Sequence, residues 1–250
     1  MGRKPEYGNW VSKKFIYIPG VISLVLFGLA LLVPSLVIPA GLFFLASLYF
    51  VYARYRFSPG GGNVQDQIRE LVLAPLGWNG EGQALDIGCG NAALTIKLAH
   101  KYARARVIGI DYWGRKWEYS KSVCERNAKV EGVTERVTFQ KASASALPFE
   151  DEYFDAVVSN LVFHEVNDVA DKRALIREAL RVVKKGGKFA FQDLFLLKRV
   201  YGSMDELMGT IRDWGIRKVE FFETKDSAFI PMPLKLPFML GTIGLIIGEK

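Results

Sequence analysis

The chain has 250 residues, enough for one well-buried α/β domain with an appendage but short for two full domains. Half of the residues are apolar and the formal net charge is +7, and both excesses gather before Ser58. Up to Gly62 six basic residues (Arg3, Lys4, Lys13, Lys14, Arg54, Arg56) face Glu6 alone, whereas the remainder carries 27 basic and 25 acidic side chains. The larger part therefore lacks the basic stripe of a nucleic-acid binder, and the surplus flanks apolar segments, as attraction to anionic lipid head groups would have it. Two cysteines, Cys89 and Cys124, make neither a disulfide framework nor a zinc site.

Residues 15–57 are almost free of charge, with apolar runs at 16–33 and 36–52 separated by Pro34-Ser35. Each run is near the lower length limit for a helix crossing a hydrocarbon core of roughly 30 Å. Aromatic residues (Trp10, Phe15, Tyr17, Tyr49, Tyr52, Tyr55) lie near the ends, and the basic residues occupy both outer flanks but not the connector. The pattern predicts a two-helix transmembrane hairpin over residues 1–57, with the connector outside and the following domain on the cytoplasmic side. The length of the run and the lack of a small-residue cleavage pattern argue against a signal peptide. Pro19, Pro34 and Pro39 leave both a full crossing and a re-entrant dip open, and the competing reading is a hairpin buried in a soluble protein. Residues 58–63 (Ser-Pro-Gly-Gly-Gly-Asn) read as a flexible linker.

From residue 64 strands and helices alternate. Helical spacing over 64–76 precedes a strand at 84–87, a helix at 92–102, a strand at 106–110 and a helix over about 115–130. Strands at 137–139 and 154–158 follow, then a helix over 171–183 with Gly186-Gly187 as its cap, a strand at 188–193 and a helix at 204–214. Two late strands, near 219–222 and 243–247, are joined by a Pro-rich segment that is poor helix material and reads as a loop lying on the membrane. The alternation predicts a doubly wound, mainly parallel seven-stranded sheet with an antiparallel edge over residues 64–250.

Gly88-Cys89-Gly90 follows the first strand, and Asp111 ends the second. Glycines there let a ligand approach the backbone, and an acid there accepts from both ribose hydroxyls. The glycines alone do not choose the cofactor, because Gly88 to Ala93 also satisfies a dinucleotide form. Asp86 argues against a pyrophosphate, which it would repel, and suits a ligand ammonium.

Leu85-Asp86-Ile87-Gly88-Cys89-Gly90-Asn91-Ala92, Ile108-Gly109-Ile110-Asp111, Leu147-Pro148-Phe149 with Phe154-Asp155-Ala156-Val157, and Val183-Lys184-Lys185-Gly186-Gly187-Lys188 stand in order. Together they resemble the class I S-adenosylmethionine-dependent methyltransferases, whose fold is Rossmann-like. By that resemblance Asp86, Gly88, Cys89 and Gly90 border the methionine part of S-adenosyl-L-methionine. Asp111 holds the ribose, Tyr112 lies beside the adenine, and Ser143, Ala144 and Asn160 complete the cofactor site. One departure stands out: Ser143 occupies the place of an aspartate that meets the adenine amine, so adenine recognition is expected to be weaker.

The reaction displaces a methyl group from a sulfonium that is already activated, so alignment is the main requirement. His164 follows the fourth strand, where an acceptor arrives, and is the candidate general base. An ordinary histidine would make the rate rise with pH through about 6.5. Its bland alternative is pocket shape. Glu165 and His100 read as solvated side chains, and Cys89 needs no thiol chemistry. The Asn/Asp-Pro-Pro-Tyr motif of nucleic-acid base methylases is missing after the fourth strand, where Ser159-Asn160-Leu161-Val162 stands. The expected acceptor is a membrane-associated small molecule or lipid, the alternatives being a soluble metabolite or peptide and a cofactor-binding regulator without turnover.

Overall fold

The protein is described here by a computed structural model covering residues 4–114, 119–216 and 218–250. It divides into two compact units, one spanning residues 9–68 and the other residues 4–8 with 69–250.

The first unit is a pair of helices, α1 (Lys14–Ala30) and α2 (Val37–Phe57), joined across a single 3-10 turn at Pro34–Leu36. The residue before a proline is pushed out of the helical region, and Val33 is accordingly non-helical, so α1 ends before the predicted position. α2 runs five residues beyond its prediction, to a last turn in which Arg54 and Arg56 complement the helix dipole. Pro39 stands in the first turn of α2, where no N–H is required, while α1 continues past Pro19. The two helices run antiparallel: Ser23 Oγ donates to the Ala40 carbonyl at 2.9 Å, Ser47 Oγ to the Ile16 carbonyl at 3.0 Å, and the Phe15 and Phe50 rings stack at 5.2 Å. Outside that seam most apolar side chains of the two helices are exposed, with Leu24 at 73% and Leu31 at 87%, while Ala53 and Phe57 in the last turns of α2 are buried. The span Pro34–Phe57 is long and apolar enough to cross a membrane, whereas α1, with 17 residues, is shorter. After α2 the predicted linker forms a one-turn 3-10 helix at Pro59–Gly61. A Cβ on Gly61 would stand 1.8 Å from the Tyr55 carbonyl oxygen, so the chain passes too close there for any other residue.

The second unit is a seven-stranded sheet in the order β3-β2-β1-β4-β5-β7-β6. Its strands are β1 (Gln83–Ile87), β2 (Arg106–Asp111), β3 (Val137–Lys141), β4 (Phe154–Asn160), β5 (Val183–Asp193), β6 (Lys218–Glu223) and β7 (Gly244–Glu249). The first five are parallel, while β7 runs antiparallel to both β5 and β6, as the sequence predicts. After α3 (Val64–Leu73), helices α4 (Ala93–Lys101) and α5 (Lys121–Val130) cover one face, with Leu94, Ile96, Leu98 and Cys124 buried beneath them. Helices α6 (Arg173–Arg181) and α8 (Met204–Asp213), with the one-turn α7 (Lys198–Tyr201) between them in sequence, cover the other, over Leu175, Ile176, Leu207 and Ile211. Residues 115–118, where the sequence starts α5, lie outside the described residues.

One local expectation is corrected. Gly186-Gly187 does not cap α6, which already stops at Arg181; the pair sits inside β5 at an irregularity, where pairing jumps from Phe154–Val183 to Ala156–Lys188. Gly186 takes φ +76°, and a Cβ on Gly187 would meet the Lys184 carbonyl at 2.8 Å. The glycines serve a bulge at the start of the strand. The Pro-rich segment before β7 is a loop with two isolated 3-10 turns, Thr224–Asp226 and Met232–Leu234.

Candidate active site

The strand order reverses between β1 and β4, and the crevice at their carboxyl ends is where open α/β sheets hold ligands. The glycine loop leaves β1 there. Gly88 and Gly90 both have left-handed backbones, φ +73° and +58°, and so does Ala92 at the head of α4, φ +67°. The left-handed region carries a steric cost for residues with a Cβ, and at Gly88 close approach adds to it: a Cβ there would lie 2.2 Å from Val162.

Asp111 ties the loop to the end of β2. Its Oδ2 accepts from the Gly90 N–H at 2.9 Å and its Oδ1 from the Trp113 N–H at 2.7 Å, while the Trp113 indole donates to the Gly90 carbonyl at 3.0 Å. Burial raises the Asp111 carboxyl above its ordinary value, and the backbone donors oppose that shift. A carboxylate has about four lone-pair sites, so two such bonds leave acceptor capacity for ribose hydroxyls. Asp86 is fully buried behind the loop and accepts from Thr95 Oγ1 at 2.6 Å. Desolvation dominates there and pushes its carboxyl up to about 7.

Asn160 ends β4 on the same face of the sheet as Asp86, one pleat beyond it, because Asp86 pairs with Val158. Its Oδ1 is buried and accepts no hydrogen bond among the described residues. A buried acceptor left open beside a buried carboxylate suits a donor-rich cation such as a ligand ammonium. This fits S-adenosylmethionine better than a phosphate-bearing cofactor.

The loop after β4 turns sharply at Leu161, φ +60°, and is held from β5. Asp193, fully buried at the end of β5, accepts from the Val162 and Phe163 N–H groups through Oδ2, at 3.0 and 2.8 Å. Its Oδ1 meets His164 Nδ1 at 2.7 Å, and Glu165 Oε1 lies 3.5 Å from Nε2. Burial alone would lower the imidazole pKa, but hydrogen bonds and charge from Asp193 and Glu165 prevail and raise it to about 9. That corrects the expectation of a histidine titrating near 6.5: at neutral pH this ring is an imidazolium.

The adenine side differs from the sequence reading in its details. Tyr112 is exposed, with Lys141 Nζ 5.0 Å above its ring, while it is Trp113 that reaches back to the glycine loop. Ser143 Oγ lies 2.8 Å from Ser145 Oγ, and Asp168 Oδ2 accepts from both, at 3.4 and 2.6 Å. Ala144 is buried between the two serines. A carboxylate thus stands beside Ser143 although none is present at position 143. The sequence reading missed Asp168, Trp113, Asp193 and Asn127. Asn127, fully buried on α5, donates to the Asn91 and Glu6 carbonyls at 2.9 and 3.0 Å and accepts from the Glu6 N–H at 2.9 Å. Only Asp193 left a usable signal, as an acid ending a strand.

A seven-stranded sheet of this order with a glycine loop and acid at its switch point defines the Rossmann-like methyltransferase fold. Residues 85–191 match the family described as a methyltransferase domain. The chain is 28% identical over 211 residues to a ubiquinone/menaquinone biosynthesis C-methyltransferase of Desulfotalea psychrophila, covering 74% of this chain and 81% of that protein. It is 33% identical over 110 residues to a demethylmenaquinone methyltransferase of Roseiflexus castenholzii, where it covers 44% of this chain and 41% of the relative. The chain thus spans less than half the length of that second relative. Geranyl diphosphate C-methyltransferase from Streptomyces coelicolor, solved with S-adenosyl-L-homocysteine, shares the fold with a TM-score of 0.58 at 16% identity, over 75% of this chain and 80% of that one. Residues 85–191 therefore match a methyltransferase domain, a class whose cofactor is S-adenosylmethionine.

Proposed function

We propose that the protein is a membrane-anchored methyltransferase that methylates a membrane-held small molecule or lipid. The observation that carries the proposal is the exposed apolar helix pair of residues 9–68, covalently joined to a methyltransferase domain. Relatives named for quinones and for geranyl diphosphate support an apolar acceptor. In this reading the helix pair within residues 9–57 anchors the chain and the catalytic unit faces the cytoplasm.

S-adenosylmethionine supplies an electrophilic methyl group whose leaving group needs no further activation. The chain's own residues align and protect. Asp86 and the Asn160 amide oxygen take the cofactor's ammonium, Asp111 the ribose hydroxyls, and Ser143 with Asp168 the adenine amine. Cys89 and the flanking glycines present their backbone to the methionine part, and Tyr112 stacks at the open adenine edge. His164, steadied by Asp193, faces the acceptor. As an imidazolium it attracts an acidic hydroxyl or enol and stabilises its anion. Once it loses the proton held against Glu165, it takes up the acceptor's proton.

Methyl-labelled cofactor incubated with the protein and with separate lipid and aqueous extracts tests the reading. Label in the lipid extract is expected. Label confined to the aqueous extract would replace the acceptor class by a soluble metabolite or peptide, and no transfer to either would leave a cofactor-binding regulator.

A further inference from the structure

Among the described residues of the second unit, the two most exposed large apolar side chains lie between β6 and β7: Met232 at 76% and Phe238 at 65%, with exposed Leu236 beside them. Leu234, Leu240 and Ile243 are buried and fix the segment from below.

Its backbone is unusual for an exposed loop. Pro231, Pro233 and Pro237 carry no N–H at all. The N–H groups of Leu234, Lys235, Met239, Leu240 and Gly241 donate to the carbonyls of Pro231, Met232, Leu236, Leu234 and Leu236 within the segment. Most of its donors are thus absent or already bonded, as a segment entering an apolar phase requires. The charge matches as well. Residues 227–243 hold Lys235 and no acid, and the neighbouring segment 194–201, tied on through the Leu196 N–H to the Thr242 carbonyl at 3.1 Å, adds exposed Lys198 and Arg199 and no acid. An apolar tip with three basic residues in its own and the tied segment fits the interface of an anionic bilayer. Its root lies at the acceptor side, for Gly244, where the chain re-enters the sheet, pairs with Asp193.

We propose that residues 231–238 form an interfacial tip that seats the catalytic unit on an anionic lipid surface beside the acceptor site. The inference rests on the membrane reading above and deepens it: residues 9–68 tether the chain, and the tip brings the site's mouth to the lipid. The tether also holds the tip at high effective concentration near the bilayer, so weak insertion suffices.

The test uses the full chain in vesicles of phosphatidylcholine with phosphatidylglycerol, carrying a polarity-sensitive fluorophore on either Met232→Cys or Leu24→Cys. The native cysteines are buried, and the unsubstituted chain serves as the labelling blank. Blue-shifted emission is expected at both positions. Quenchers near the head groups are expected to reach the Met232 label and quenchers deep in the acyl chains to spare it, with its shift shrinking in pure phosphatidylcholine. A water-like label at Met232 beside an apolar one at Leu24 overturns the tip and leaves the anchor standing, whereas two water-like labels overturn both. A Met232 signal that follows the protein-to-lipid ratio assigns the surface to a second copy of the chain, and one indifferent to phosphatidylglycerol removes the charge match; either result overturns the proposal.

Discussion

Asp111 holds one backbone N–H on each oxygen before any ribose arrives, so it both shapes the glycine loop and binds the ligand. Asp111→Ala is expected to lose roughly 1.5–3 kcal/mol of S-adenosylhomocysteine affinity, the range for hydrogen bonds to a charged group. Calorimetry on a folded variant with unchanged affinity contradicts the assignment. Asp86 brings a pH dependence. A cation docking against a carboxylate lowers its pKa and thus favours the deprotonated form. Cofactor affinity is therefore expected to rise with pH through about 7 and level off above it. A flat profile separates Asp86 from the ammonium. For His164 the same arithmetic moves the kinetic profile: a base must be neutral, so the rate is expected to climb through about 9, not 6.5. His164→Gln is expected to cost about 10²–10⁴ in turnover with cofactor affinity unchanged. Asp193→Asn, which removes a charge facing the ring, should shift the inflection toward lower pH. Near-wild-type turnover in His164→Gln reduces the ring to a packing role. Because its folded pKa lies above the unfolded one, the His164–Asp193 pair stabilises the fold fully below about 6.5 and loses that contribution as pH rises through about 9.

The glycine loop and the loop after β4 meet where Val162 packs on Gly88. Gly88→Ala is expected to destabilise by about 1–3 kcal/mol through left-handed strain, with the collision against Val162 added to it. Trimming the partner in Gly88→Ala/Val162→Ala should recover the collision part and leave the strain, which denaturant unfolding of the two variants reads directly; no recovery would mean that the loops are not coupled. The alternation of short apolar strands with helical spacing made the parallel order legible from residue 83 onward, and the closing antiparallel pair showed in the want of a helix between its strands. Helix ends were less legible. Gly186-Gly187 looks like a helix cap in sequence because glycine marks left-handed backbone wherever it occurs, and only pairing with β4 reveals a bulge. The site was legible on the side carried by local motifs, at Asp86, Gly88, Gly90 and Asp111. Asp168 and Asn127 were not legible, because their partners lie 23 and more residues away and no spacing rule links them.

Across the whole chain, residues 4–8 belong with the catalytic unit, where Glu6 bonds to Asn127 across 121 residues of sequence. A chain beginning at Asn63 is expected to stay in solution without detergent and to bind cofactor. It should nonetheless lose roughly 1–3 kcal/mol, because the buried Asn127 amide loses two of its three partners. Equal unfolding midpoints would show that the Glu6 contacts contribute nothing. Methyl transfer to an acceptor in the protein's own membrane can be read by mixing two vesicle populations that both contain acceptor-bearing lipid extract, only one of which carries the full-length protein. After labelled cofactor is added and the populations are separated, label is expected in the lipid of the protein-bearing vesicles, with Asp111→Ala abolishing most of it. Equal labelling of both populations, or label left wholly in the water phase, would contradict that expectation.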